Sequence, residues 1–165
     1  MKTLSPVFND TGTITAGNSS GITDGASATV LVSEEEAARR NLKPLARIID
    51  YATAGVDPKI MGIGPVPAVG KLVSKTGLRL EQFDLVEMNE AFAAQVLACL
   101  HELPIDPDRL NVNGGAIALG HPIGSTGSRI VTTLAHEMQK RRSRYGMATL
   151  CISGGMGIAV GIERL

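Results

Sequence analysis

The chain has 165 residues, 44% of them hydrophobic and 19% charged, the proportions of a globular chain with enough material for one core. Its 16 basic and 16 acidic side chains cancel to a formal net charge of +0, which removes the electrostatic case for nucleic acid or an anionic membrane surface as a partner. The two cysteines, Cys99 and Cys151, form no CxxC pair, so neither a disulfide framework nor a zinc site is expected and no metal ligand is assigned.

No apolar run approaches the ~20 residues of a membrane helix. The opening MKTLSPVFND lacks the apolar region of a secretory signal, and Ile162-Glu163-Arg164-Leu165 matches no retention or peroxisomal address. A cytoplasmic location is the expectation.

Residues 1–21 are polar and glycine-bearing and read as an irregular lead-in, with Ala16-Gly17-Asn18-Ser19-Ser20-Gly21 a small-residue loop able to lie close to a ligand. The apolar run at 28–32 (ATVLV) reads as a buried strand. Ser33 before three glutamates is an N-cap with acids in the first turn, which starts a short helix to about Arg40. Residues 45–51 (LARIIDY) read as a strand. The spacing predicts a helix over 66–76, closed by Gly77.

Residues 83–88 (FDLVEM) read as a compact strand, and a helix over 91–103 puts Phe92, Val96, Cys99, Leu100 and Leu103 on one side. The longest helix is predicted over 125–142, with Ile130, Val131, Leu134, Ala135 and Met138 as its stripe and Lys140-Arg141-Arg142 complementing its C-terminal dipole. Strands over 147–152 and 157–162 are joined by so few residues that they must be antiparallel neighbours. The expected fold class is α/β: a mixed, mostly parallel five-stranded sheet flanked by helices, as a single domain over 1–165.

Residues 113–129, NGGAIALGHPIGSTGSR, hold five glycines, one proline and His121. Glycine at this density costs chain entropy and adds no buried side chain, so the backbone there must bend sharply or approach a ligand. Pro122 restricts the backbone of His121. Two polar residues fall at strand ends, where open α/β sheets gather ligands: Asn89 after FDLVEM and Cys151 within MATLCI. Residue type alone leaves each with a second reading: Asn89 as a helix cap, Cys151 as a small buried hydrophobe, His121 as a loop histidine bonded to carbonyls. His101 and His136, beside charged residues on helices, read as surface residues, and Cys99 as core. A phosphate-cradling loop fails at 115–122, where His121 and Pro122 stand in place of Lys and Ser/Thr.

Read together, Asn89-Glu90-Ala91-Phe92-Ala93, Gly120-His121-Pro122-Ile123-Gly124 and Cys151-Ile152-Ser153-Gly154-Gly155-Met156-Gly157 resemble the three C-terminal motifs of the thiolases, the acetyl-CoA acetyltransferase and 3-ketoacyl-CoA thiolase family. The stretch at 16–25 (AGNSSGITDG) resembles the loop that opens that family's C-terminal half, so the resemblance covers essentially the whole chain in order.

The resemblance implies an acyltransferase of lipid and fatty acid metabolism, making a 3-ketoacyl-CoA by Claisen condensation or cleaving one by thiolysis. It implies coenzyme A thioesters as substrates and no separate cofactor. The position of His121 matches the base that activates the nucleophilic cysteine, Cys151 the second cysteine acting as general acid/base, and Asn89 the residue orienting a water in an oxyanion hole. Ser20 and Gly21 match the loop along the pantetheine arm, and Ala91 and Phe92 residues lining its tunnel. Ser153 stands where the family usually has glycine; its N–H matches an oxyanion-hole donor, and the substitution restricts φ.

The family's nucleophilic cysteine lies in an N-terminal half for which this sequence shows no counterpart. The expectation is therefore a C-terminal half that acts with an N-terminal half on another chain or in a longer parent, within a homo- or hetero-oligomer. The alternative is a catalytically inactive remnant that acts as a binding or structural protein.

Overall fold

The computed structural model describes residues 3–165. Helix α1 (Glu34–Arg39) starts as its sequence requires, with the Ser33 hydroxyl accepting from the Glu36 N–H. Strand β1 (Ala46–Gly55) follows, longer than expected and shifted in register between Ile48 and Asp50. Helix α2 (Pro65–Thr76) opens on proline and ends at Gly77 in the left-handed region. Strand β2 (Leu85–Met88) is buried at all four positions, and helix α3 (Ala93–Glu102) follows. A four-residue helix α4 (Ala116–Leu119) and the long α5 (Thr126–Arg141) flank the histidine loop. Strands β3 (Tyr145–Ile152) and β4 (Met156–Arg164) close the chain as the expected antiparallel pair.

The sheet has four strands in the order β1-β4-β3-β2, not five. Strands β1, β2 and β3 run the same way, and β4 runs against both of its neighbours, which makes the sheet mixed. The missing strand is the apolar run at 28–32. It has no ladder partners, and Val30 and Leu31 are 88% and 73% exposed. Apolar content alone does not make a strand where no sheet edge offers hydrogen bonds.

The core lies on both faces of the sheet. On one, Val86, Met88, Met147 and Ala159 pack under Ala68, Val69 and Leu72 of α2 and Val96 and Cys99 of α3. On the other, Leu85, Ala148 and Ile162 pack under Ile130, Leu134 and Met138 of α5, the apolar stripe read from the sequence. Gly157 and Gly64 meet backbone to backbone, where a Cβ on either would overlap the other segment, so β4 and the start of α2 approach closely beside the β3–β4 turn.

Both outer edges of the sheet are closed by side chains. Beside β2, the Asn111 amide accepts from the Met88 N–H at 2.9 Å and donates to the Met88 carbonyl at 2.8 Å, and its own N–H donates to the Val86 carbonyl. Beside β1, Lys71 and Lys75 donate to the carbonyls of Thr53 and Tyr51 at 3.1 and 2.7 Å. Among the described residues no helix is long and apolar enough to cross a membrane.

Candidate active site

Asn89 is the first residue beyond β2. Its backbone N–H donates to the Thr149 carbonyl at 3.0 Å, so strand pairing fixes it, and its side chain is almost wholly buried. It does not cap α3; Phe92 occupies the N-cap position in an extended conformation. The Asn89 amide Nδ2 instead lies 3.4 Å from His121 Nε2, and the buried Oδ1 has no protein partner.

His121 is held from three sides. Its backbone N–H donates to the Gly21 carbonyl at 2.8 Å. Its ring Nδ1 lies 2.6 Å from the Thr126 hydroxyl, which donates onward to the Pro122 carbonyl at 3.0 Å. With its own proton committed to Pro122, the Thr126 hydroxyl accepts from Nδ1–H. The neutral imidazole therefore keeps its lone pair on Nε2, the nitrogen facing the Asn89 amide. Burial pushes the His121 pKa down, and the Arg129 cation lowers it further, so the ring is neutral at pH 7.

Glu90, next to Asn89 in sequence, fixes the approach to this loop. Its carboxylate accepts from the Ile117 N–H at 3.1 Å and from Asn111 Nδ2 at 3.2 Å, and it fills the space over Gly115 where a Cβ would stand. Sequence reasoning passed over Glu90 and Thr126. The signals were present: a carboxylate directly beside the strand-end asparagine, and a hydroxyl five residues after the histidine at a helix start.

Cys151 stands near the end of β3, paired across the ladder with Gly157 and only 8% exposed. Burial raises its thiol pKa, so it holds its proton at neutral pH. Because β2 and β3 are parallel neighbours, Asn89 and Cys151 emerge on the same rim of the sheet. The structure thus joins Asn89 to His121 by direct contact and brings Cys151 to the same rim without a hydrogen bond between its side chain and either.

Ser153 is exposed and keeps a negative φ; the left-handed conformations of the β3–β4 turn fall on Gly154 and Gly155 at φ +86° and +87°. Serine at 153 therefore meets no backbone strain. Cys99 is core, as expected: its thiol donates to the Gly62 carbonyl at 3.4 Å, and its pKa is pushed up to about 11 by burial.

The Ser20 N–H donates to the Ala91 carbonyl at 3.1 Å, which brings together two of the expected substrate-contact segments. Phe92 stacks edge-on against Phe8, with ring centroids 5.4 Å apart, at a largely apolar groove of about 570 Å³. Ile14, Ile60, Met61 and Gln95 also line it. Among the described residues no group of three or more His, Cys, Asp and Glu side chains gathers as a metal site would require.

Residues 42–164 match the family model "Thiolase, C-terminal domain", and residues 1–35 match "Thiolase, N-terminal domain". The chain is 57% identical over 164 residues to an acetyl-CoA acetyltransferase of Paracoccus denitrificans, across 99% of this chain and 42% of that protein. It is 54% identical over 163 residues to a mitochondrial 3-ketoacyl-CoA thiolase of Bos taurus, across 99% of this chain and 41% of that protein. The fold superposes on human mitochondrial 3-ketoacyl-CoA thiolase in complex with CoA with a TM-score of 0.97 at 52% identity, covering 99% of this chain and 42% of that one. Bacillus anthracis acetyl-CoA acetyltransferase gives 0.97 at 53% identity with the same coverage. The chain therefore spans less than half the length of the relatives it matches. A continuous family match from 42 to 164, carried on this fold, establishes that the chain belongs to the thiolase family.

Proposed function

We propose that this chain supplies the acid–base part of a thiolase site, working on coenzyme A thioesters together with a segment that carries the nucleophilic cysteine. The observation that carries this reading is the fixed tautomer of His121. Thr126 holds Nδ1–H, so Nε2 carries the lone pair and meets only the long, 3.4 Å contact from the Asn89 amide. Such a nitrogen takes the proton of an approaching thiol, which becomes the attacking thiolate.

Cys151 has the complementary role. A thiol whose pKa is raised by burial keeps its proton at neutral pH, can deliver it to a departing coenzyme A thiolate, and can take one back from the carbon next to a thioester carbonyl. The unpaired Oδ1 of Asn89 needs a donor, and a water bridging it would point its second hydrogen at a developing oxyanion. The N–H of Ser153 is assigned to a second oxyanion position. The groove at Phe92 has the apolar lining to take the acyl or pantetheine arm; Ser20, bonded to Ala91 next to Phe92, and Gly21 are assigned to the same arm.

The test is reconstitution. Co-expressed with an N-terminal thiolase half, the chain should support thiolysis of acetoacetyl-CoA, and His121→Ala and Cys151→Ala should each lower the rate by about 100- to 10,000-fold. Reconstituted complexes that bind but show no acyl transfer would overturn the reading. One observation favours a second reading, a coenzyme A-binding protein without turnover: burial raises the pKa of both cysteines, so this chain alone holds no activated thiol. Stoichiometric coenzyme A binding by the chain without hydrolysis or transfer is its expected signature.

A further inference from the structure

Residues 19–29 form neither helix nor strand of their own, yet they run from the loop after Asn89 across the histidine loop to the start of α5. The segment begins at the strand-end loop, where Ser19 makes an antiparallel bridge with Phe92 and both the N–H and the hydroxyl of Ser20 donate to the Ala91 carbonyl. It then crosses the histidine loop, touching three consecutive residues. Thr23 packs against Gly120, whose φ of +97° and missing side chain make room for it; a Cβ there would overlap the Thr23 side chain. The Gly21 carbonyl accepts the His121 N–H. Gly25 lies against the Pro122 ring, again where a Cβ would overlap. Finally the Ser27 hydroxyl donates to the Ser125 carbonyl at 3.2 Å, and Thr29 meets Ser128 at 3.1 Å, at the start of α5.

We propose that residues 19–29 are a strap that positions His121, with Thr23 its positioning residue, and that a ligand lying along Ser20 and Gly21 acts on the imidazole through this strap. Asn89 and His121 sit on separate loops. Besides their own side-chain contact and the Glu90 carboxylate that accepts from the Ile117 N–H, the strap ties those loops together, at Ala91 and Phe92 on one side and at residues 120–122 on the other. Its middle is exposed, so it has no core packing to hold it still. The expected ledge for the pantetheine arm, Ser20 and Gly21, is therefore one hydrogen bond from the backbone of His121. The coupling to ligand rests on the acyl-CoA reading above; the positioning of His121 by Thr23 does not.

Two measurements on the chain itself test it. By ¹⁵N NMR of the imidazole, the wild type and Thr23→Val, which keeps the packing on Gly120, should show His121 with the proton on Nδ1. Thr23→Gly should shift population toward the other tautomer and move the His121 pKa toward its ordinary value. Unchanged imidazole signals in folded Thr23→Gly would overturn the strap. Should that variant fail to fold, amide exchange in the wild type decides. The His121 N–H should exchange about tenfold or more slower than in a free peptide, and adding coenzyme A should slow it further. Free-peptide exchange would overturn the positioning, and coenzyme A that binds without slowing exchange would overturn the coupling. No coenzyme A binding at all would count against the acyl-CoA reading, while the Thr23 comparison still decides the strap.

Discussion

The amide of Asn89 faces Nε2 of His121 at 3.4 Å with one end and leaves its other end, a buried Oδ1, without a partner. An orphaned acceptor in a protein interior costs free energy unless something fills it. On the proposed function it marks the position of a water that faces the developing oxyanion. In the reconstituted enzyme, Asn89→Ala should lower kcat by about 100- to 1,000-fold with little change in KM, the pattern of a group that acts on developing charge. A steady-state comparison with Asn89→Asp checks it, because the carboxylate keeps an acceptor but loses the Nδ2 donor toward His121.

The pH behaviour of His121 has a defined sign. Burial and Arg129 place its folded pKa below the ordinary 6.5, so the unfolded chain takes up the proton first as pH falls. The stability tied to the neutral ring is complete above 6.5 and is lost as pH falls through the folded value. The acid limb of kcat/KM for the reconstituted enzyme should lie below 6.5 for the same reason, and Arg129→Gln should move it upward. A pH–rate profile of the two proteins measures the shift.

Glu87 has the opposite sign. It is buried in β2, and burial, with help from the charges of Glu90 and Glu137 and against that of Arg129, pushes its carboxyl up to about 7. The folded state therefore holds a proton that the unfolded chain has lost, and stability falls as pH rises from the ordinary 4.5 through 7. Glu87→Gln should remove that loss, on the order of 3 kcal/mol at full ionisation. Chemical denaturation at about pH 5 and about pH 8 should show a smaller pH dependence in the variant than in the wild type.

Gly157→Ala tests the close approach of β4 to the start of α2. The added methyl would overlap the Gly64 carbonyl and force β4 away from α2 opposite Cys151. The expected cost is about 1–3 kcal/mol or more, read as a lower denaturation midpoint. Gly124→Ala, where a Cβ meets nothing, should be close to neutral and serves as the control.

The sequence made the helices legible because they carry their own signals. Ser33, Gly77 and the stripe at Ile130, Leu134 and Met138 each state a cap or a face locally. The residues of the candidate site were legible for the same reason, as strand ends and a glycine-dense loop. What was not legible depends on partners distant in sequence. The run at 28–32 reads as a strand but has no neighbour to pair with, and Asn111, unremarkable in sequence, acts as the edge of a sheet. The link from His121 to Thr126 was near in sequence, yet its meaning needed the second bond to Pro122, which only the folded loop forms.

The side chains that close the sheet decide where this molecule is adhesive. Asn111 occupies one edge, and Lys71 and Lys75 interrupt the other at the Thr53 and Tyr51 carbonyls, so a passing strand meets a broken ladder on either side. The run at 28–32 is apolar, exposed and outside any ladder, and so is one of the segments open to recruitment. Burial of Val30 and Leu31 against another surface would remove apolar area that the chain's own sheet leaves in solvent.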